Sequence, residues 1–331
     1  MDWFEKITGF QETTYDDTRH RLTIQDGKLI GRGGKAWSVG QVETPTLAEL
    51  RQRAAPRLVG RGRTRVSCMT ADVRELHAHD DSKGALFQVA SQFNLLEMVG
   101  PDVTPEHGVT RYQSDATQGP ACAIAAGAGT IYRNYLVPVG RQQGQRAHRQ
   151  IDCLVDLARA LGGSDQKLWQ MRNGYALCTR RGLSWVDNRL RCLDDAGIDE
   201  LRGWLRIGLH WDVDVTDLAE PGHRVSQAYC SALPVAYSGI PAQNWALFAG
   251  LVLEAAYEAT MLAALINRER SGMERIYLTS LGGGAFGNDA AWIAAAMRRA
   301  IKLVETTGLD VRLVSYRTVL PELREIAEEF A

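Results

Sequence analysis

No Cys-x-x-Cys pair occurs in this sequence, and no histidine lies at a spacing that completes a zinc site with Cys68, Cys122, Cys153, Cys178, Cys192 or Cys230. The six read as reduced thiols of a cytoplasmic protein, and no metal is expected. The first residues, Met1-Asp-Trp-Phe-Glu-Lys6, lack the charged-then-apolar order of a secretion signal. A basic stripe is also missing: 38 Lys and Arg against 39 Asp and Glu leave a net charge of -1, so nucleic acid is not an expected partner. The longest apolar stretch, 245–266, is interrupted by Glu254 and Glu258, which reads as a buried helix rather than a membrane span. Internal repeats and low-complexity linkers are absent. What remains is ordinary globular composition, 45% hydrophobic and 23% charged over 331 residues.

The segment with most chemical content is Ile276-Tyr-Leu-Thr-Ser-Leu-Gly-Gly-Gly-Ala-Phe-Gly-Asn-Asp289. An apolar, strand-like run enters a turn holding Gly282, Gly283, Gly284 and Gly287, and a helical pattern follows over 290–304. Glycines allow close backbone approach, and amides at a helix start point at an anion. The segment reads as a diphosphate cradle. It lacks the Lys-Ser/Thr of a P-loop, and it lies too late in the chain for a Rossmann fingerprint. Ser231 lacks a Gly-x-Ser-x-Gly elbow, so a serine hydrolase is disfavoured. His77, His79, Asp80 and Asp81 read as a solvated turn rather than metal ligands.

Patterning predicts a hairpin over 20–31, a short helix capped by Thr46, and strands over 65–70 and 84–90. Residues 95–119 read as an irregular loop, followed by a helix over 121–135, an exposed connection over 140–149 and a helix over 151–161. Two strands are expected within 173–193, joined near Arg181-Gly182. Further strands fall at 207–210, 225–233 and 311–316, with helices over 245–270 and from Pro321 onward. Strands alternating with helices imply a three-layer α/β/α sandwich.

Three earlier segments answer the glycine loop. Asp72 ends a strand, where a carboxylate can accept from an adenine amino group; the competing reading is a turn or cap aspartate. Asn94 follows the buried strand and can meet a ribose hydroxyl. Gly119 precedes a helix start with Pro120 in its first turn, a second set of free amides.

In this order the segments Thr70-Ala-Asp-Val73, Val89-Ala-Ser-Gln-Phe-Asn94, Gly119-Pro-Ala-Cys-Ala123 and Ser280-Leu-Gly-Gly-Gly-Ala-Phe-Gly287 resemble the macro domain superfamily, the ADP-ribose-binding fold. The resemblance implies a mixed sheet in a single macro-like domain over 1–331. Residues 65–135 and 273–316 carry the motifs, 1–60 form an extension and 140–270 an enlarged middle. It implies ADP-ribose, free or on a mono-ADP-ribosylated protein, as ligand and partner, with no further cofactor and no membrane. Binding would involve Asp72, Val73, Asn94, Gly119, Pro120, Ala121, Cys122, Gly282, Gly283, Gly284, Ala285, Phe286 and Gly287, with Phe286 on the distal ribose. There is no Gln-Glu-Glu after the first loop, as the poly(ADP-ribose) glycohydrolase branch would have. The loop instead carries Asp102, Glu106 and Asp115, and so looks similar to divergent macro domains acting on arginine-linked ADP-ribose. Asp115, four residues before Gly119, is the expected catalytic carboxylate, with Glu106 and Asp102 in support. The two activities to separate are hydrolysis of a mono-ADP-ribosyl–protein bond and binding without chemistry.

Overall fold

A run such as Leu86–Ala90, apolar but for Gln88, is satisfied where both faces of a strand are covered, which is the position of a central parallel strand. The computed structural model, which describes residues 1–163 and 168–331, places that run in the middle of a seven-stranded sheet. In chain order its strands are β1 (Gln41–Glu43), β2 (Arg65–Thr70), β3 (Leu86–Ala90), β4 (Gly208–Asp214), β5 (Arg224–Cys230), β6 (Arg275–Leu278) and β7 (Asp310–Ser315). The spatial order is β1-β4-β5-β3-β6-β7-β2. The last five are mutually parallel; β4 is antiparallel to both β5 and β1. The sheet is therefore mixed.

Helices cover both faces. Helix α1 (Leu47–Ala54) carries a full capping box between Thr46 and Glu49. It packs on the 26-residue helix α5 (Ala246–Ser271), which packs in turn on α6 (Ala290–Leu303), all on one side. On the other lie α2 (Val73–Ala78), α3 (Gln118–Ala125) and α4 (Gly127–Tyr135). The C-terminal α7 (Pro321–Glu329) packs on β2 and α6. The alternation of β3 shows the two layers: Phe87 stacks on His77 of α2 at 3.7 Å, while the Gln88 amide donates to Thr260 of α5. Helix α5 is long and apolar enough to span a bilayer, but it is buried between α1 and α6. Its Glu258 takes Arg51 and Arg299, and its Glu254 takes Arg202.

Several expectations shift. Residues 173–193 are not two strands. Tyr175–Cys178 pairs with Trp169–Arg172, and Arg180–Arg191 is a helix capped by Thr179, whose side chain accepts from the Gly182 amide. Leu183, Val186 and Leu190 recur at helical spacing on its buried face, a period that outweighs the turn signal of Arg181-Gly182. The 121–135 helix is broken at Ala126, whose backbone leaves the helical region. The 151–161 helix is helical only over Val155–Ala160. His77 is fully buried rather than part of a solvated turn.

Candidate functional site

Parallel strands present all their C-terminal ends at one edge, and the loops leaving them enclose a crevice there. In this sheet those ends are Thr70, Ala90, Cys230, Leu278 and Ser315. A cleft of 510 Å³ opens among them, walled by Ala71–Arg74, by Asp115–Gln118, by Tyr277–Ser280 and by Val314–Tyr316. An inner chamber of 370 Å³ continues it past Gly119, Pro120 and Glu97 to Phe286, Tyr175 and Tyr237. The two compartments share Asp115, Thr117, Gln118, Thr279, Ser280 and Gly284.

The first glycine turn is held by one side chain. The Gln118 amide donates to the Gln88 carbonyl at 2.8 Å and accepts from the Ala90 amide at 2.9 Å, so it pairs with the end of β3 as a strand would. Gly119 follows directly. A β-carbon there would stand 2.0 Å from the Ala90 carbonyl oxygen and 2.2 Å from Glu97 Oε2, so no larger residue fits. Thr117 makes no side-chain cap, Pro120 has no N–H, and the Ala121 amide is spent on Thr117. Among the described residues, the amides of Gln118 and Gly119 take no acceptor, and they are the free donors of this helix start.

The second turn is a closed loop. Gly282 and Gly287 both have positive φ, 75° and 69°, a conformation that glycine tolerates. The Asn288 amide donates to the Gly282 carbonyl at 3.0 Å, and the Asn288 side chain reaches the Leu233 carbonyl at 2.9 Å. Among the described residues, no acceptor is taken by the amides of Gly282, Gly284, Ala285 and Phe286. Asp289 then caps α6, accepting from Ala291. Phe286 lies within an aromatic cluster, 5.3 Å from the Tyr175 ring and 5.6 Å from the Tyr237 ring.

Two carboxyls line the inner chamber. Asp115 is partly exposed, and its Oδ1 accepts from the Thr117 amide and hydroxyl in a local turn. Glu97 is buried, and burial pushes its carboxyl well above the usual carboxylate range against the opposing pull of Arg133. Sequence reasoning missed Glu97. The signal was present as an acid between Leu95-Leu96 and Met98, in a segment already read as an irregular loop.

The other expected residues divide. Asp72, Val73, Ala121, Pro120, Gly282, Gly284, Ala285 and Phe286 line the cleft or its chamber. Asp72 also caps α2, accepting from Arg74 and Glu75. Asn94 does not line it: fully buried, its side chain donates to Gln150 and accepts from the Leu96 amide. Cys122 faces the core, and its carbonyl accepts from Gln227. Gly283 and Gly287 belong to the loop but not to its cleft-facing wall; Gly287 backs onto Ala236. Glu106 accepts from the Ala147 amide and Asp102 pairs with Arg172, both away from the cleft. The acidic mouth expected from the 102–115 loop is therefore reduced to Asp115. The loop winds through short 3₁₀ turns at Pro105–His107 and Thr110–Ser114, which separate acids close in sequence.

No family model matches the sequence, and no curated protein matches it. Among solved structures, a poly(ADP-ribose) glycohydrolase from Thermomonospora curvata is similar over 96% of both chains, at 15% identity and a TM-score of 0.44. One from Deinococcus radiodurans in complex with ADP-ribose is similar over 88% of this chain and 95% of that one, at 12% identity and a TM-score of 0.45.

Proposed function

We propose that the cleft binds ADP-ribose and that the protein hydrolyses the bond joining ADP-ribose to a modified protein side chain. The observation that carries the reading is that the start of α3 at Gly119 and the glycine loop between β6 and α6, both with unused amides, line one cleft that also holds a carboxylate. Amides at Gln118, Gly119, Gly282, Gly284, Ala285 and Phe286 suit a diphosphate. The outer compartment, walled by Asp72, Val73 and Tyr316, suits a nucleoside. The inner chamber, closed by Phe286 and the tyrosines, suits the distal ribose. Cleavage at the anomeric carbon develops positive charge on the sugar, and Asp115 at the shared wall can orient a water or steady that charge.

Binding without chemistry is the second reading. It is favoured by one observation: Asp115 Oδ1 is already engaged by Thr117, and neither Asp102 nor Glu106 reaches the cleft. Calorimetric titration with ADP-ribose and AMP, followed by incubation with proteins mono-ADP-ribosylated through arginine, acidic residues or serine, separates them. ADP-ribose is expected to bind more tightly than AMP and to be released from at least one linkage, arginine being the first to test. Binding with no release from any linkage selects the second reading, and absence of binding rejects both.

A further inference from the structure

Glu97 has no part in the chemistry just described, yet its setting is unusual for a carboxyl. It is 4% exposed and lines the inner chamber. Its Oε1 is buried and takes no hydrogen bond from any described residue. Its Oε2 lies over Gly119, at the start of α3. The nearby cation does not pair with it. Arg133 is spent on His210 Nδ1 at 2.7 Å, on Thr130 at 2.9 Å and on the Leu95 carbonyl at 3.1 Å, with its guanidinium 3.9 Å above the Tyr229 ring.

The backbone leading to Glu97 is strained. Leu95 has φ 64°, a left-handed conformation that is unfavourable for a branched non-glycine residue. Asn94 and Arg133 hold it there, through the Leu96 amide and the Leu95 carbonyl. A second anchor follows at Glu97 itself, whose amide donates to the Tyr112 hydroxyl at 2.9 Å. This segment is built to hold one acid in a chamber without supplying donors to it. Burial without donors disfavours the ionised form of such a group; neutral, it keeps an O–H to give.

We propose that Glu97 is the proton donor of this site, working opposite Asp115 as the proton acceptor. The proposal rests on the hydrolase reading and adds a residue and a role to it. The bond that breaks joins the anomeric carbon to the leaving nitrogen or oxygen, which keeps the electron pair and takes the Glu97 proton. A water oxygen bonds to the anomeric carbon and gives its proton to Asp115. After product release, the proton on Asp115 is exchanged through solvent and Glu97 regains one, so one water is consumed per turnover. The titratable groups facing Glu97 are Arg133, Asp115, Tyr112, Cys122, Tyr175 and Tyr229. Burial raises the four phenol and thiol groups, so around Glu97 they stay protonated and uncharged.

The test compares the full-length protein with Glu97→Gln and Glu97→Asp. Glu97→Gln is expected to bind ADP-ribose within twofold of wild type, to melt no lower, and to lose turnover by roughly a hundredfold or more. In the infrared spectrum at neutral pH, wild type is expected to show a protonated-carboxyl band that Glu97→Gln lacks. Glu97→Asp keeps an acid but withdraws it by one methylene, and is expected to bind normally with reduced turnover. A folded Glu97→Gln protein with full turnover overturns the role of Glu97 while leaving the hydrolase reading intact, as does the absence of that infrared band. A wild-type protein that binds ADP-ribose and releases none from any linkage overturns both together.

Discussion

The Tyr257 hydroxyl accepts from the Leu281 amide at 2.9 Å and donates to the Thr279 carbonyl at 2.6 Å, so a single buried residue of α5 fastens the strand-to-loop junction ahead of Gly282. Tyr257→Phe leaves the buried Leu281 amide only its local acceptor, the Thr279 carbonyl at 2.9 Å, and takes a donor from that carbonyl, with little change in packing. The expected loss is about 1–3 kcal/mol of stability, with weaker ADP-ribose binding because the loop amides lose their register. Denaturant melts and calorimetry check both. Unchanged affinity would detach the loop from the site.

Gly284 and Gly119 are expected to behave oppositely. Nothing lies within 4 Å of a β-carbon built on Gly284, so Gly284→Val should fold normally and fill the cleft instead. Its melting temperature should match wild type while ADP-ribose binding is lost. Gly119→Ala drives a methyl into the Ala90 carbonyl and Glu97, an overlap that typically costs about 1–3 kcal/mol. Its defect should appear first in the melt.

Asp115→Asn retains an oxygen able to accept from Thr117, so the local turn should survive. The variant loses charge and basicity. Binding of ADP-ribose should persist and turnover should fall by roughly a hundredfold, as for other general bases. Single-turnover release from a defined linkage measures it, and full activity would leave Asp115 a turn residue alone.

Two buried histidines make the fold acid-sensitive. Burial lowers His77 to about 4, and burial together with Arg133 lowers His210 to about 3. Both are neutral in the folded protein and protonate more readily once unfolded. Their stabilisation is therefore present above pH 6.5 and is lost as pH falls toward those values. For His77 the shift corresponds to about 3 kcal/mol. The melting midpoint should fall between pH 6.5 and 4, and His77→Gln should flatten part of that slope whatever its effect on absolute stability. A midpoint that does not move over this range would contradict the burial.

Much of the architecture was legible because it rests on local rules. Thr46 caps its short helix as expected, with Glu49 completing the box, and Asp26-Gly27 makes the tight turn between Ile24–Gln25 and Lys28–Ile30. The glycine loop after β6 lies between a strand and a helix, as its apolar run and following helical period require. The helix over 180–191 was misread because Arg181-Gly182 carries a turn signal that a buried Leu183-Val186-Leu190 face overrides.

Local rules fix the glycine loop at 282–287, the helix start near Gly119 and Pro120, and the α/β alternation, since φ preference, capping and apolar periodicity act within a few residues. Which side chains share the cleft was decided only by the tertiary structure. Asn94 lies close in sequence to the expected site, yet its amide is consumed by Gln150 and Leu96. Asp102 and Glu106 are carried off by Arg172 and Ala147. Glu97, a plain acid among apolar neighbours in the sequence, reaches the chamber because a strained turn at Leu95, held by Arg133 from a distant helix, aims it there. The charge state of such a group depends on how much water surrounds it, and that is set by segments far away in the chain.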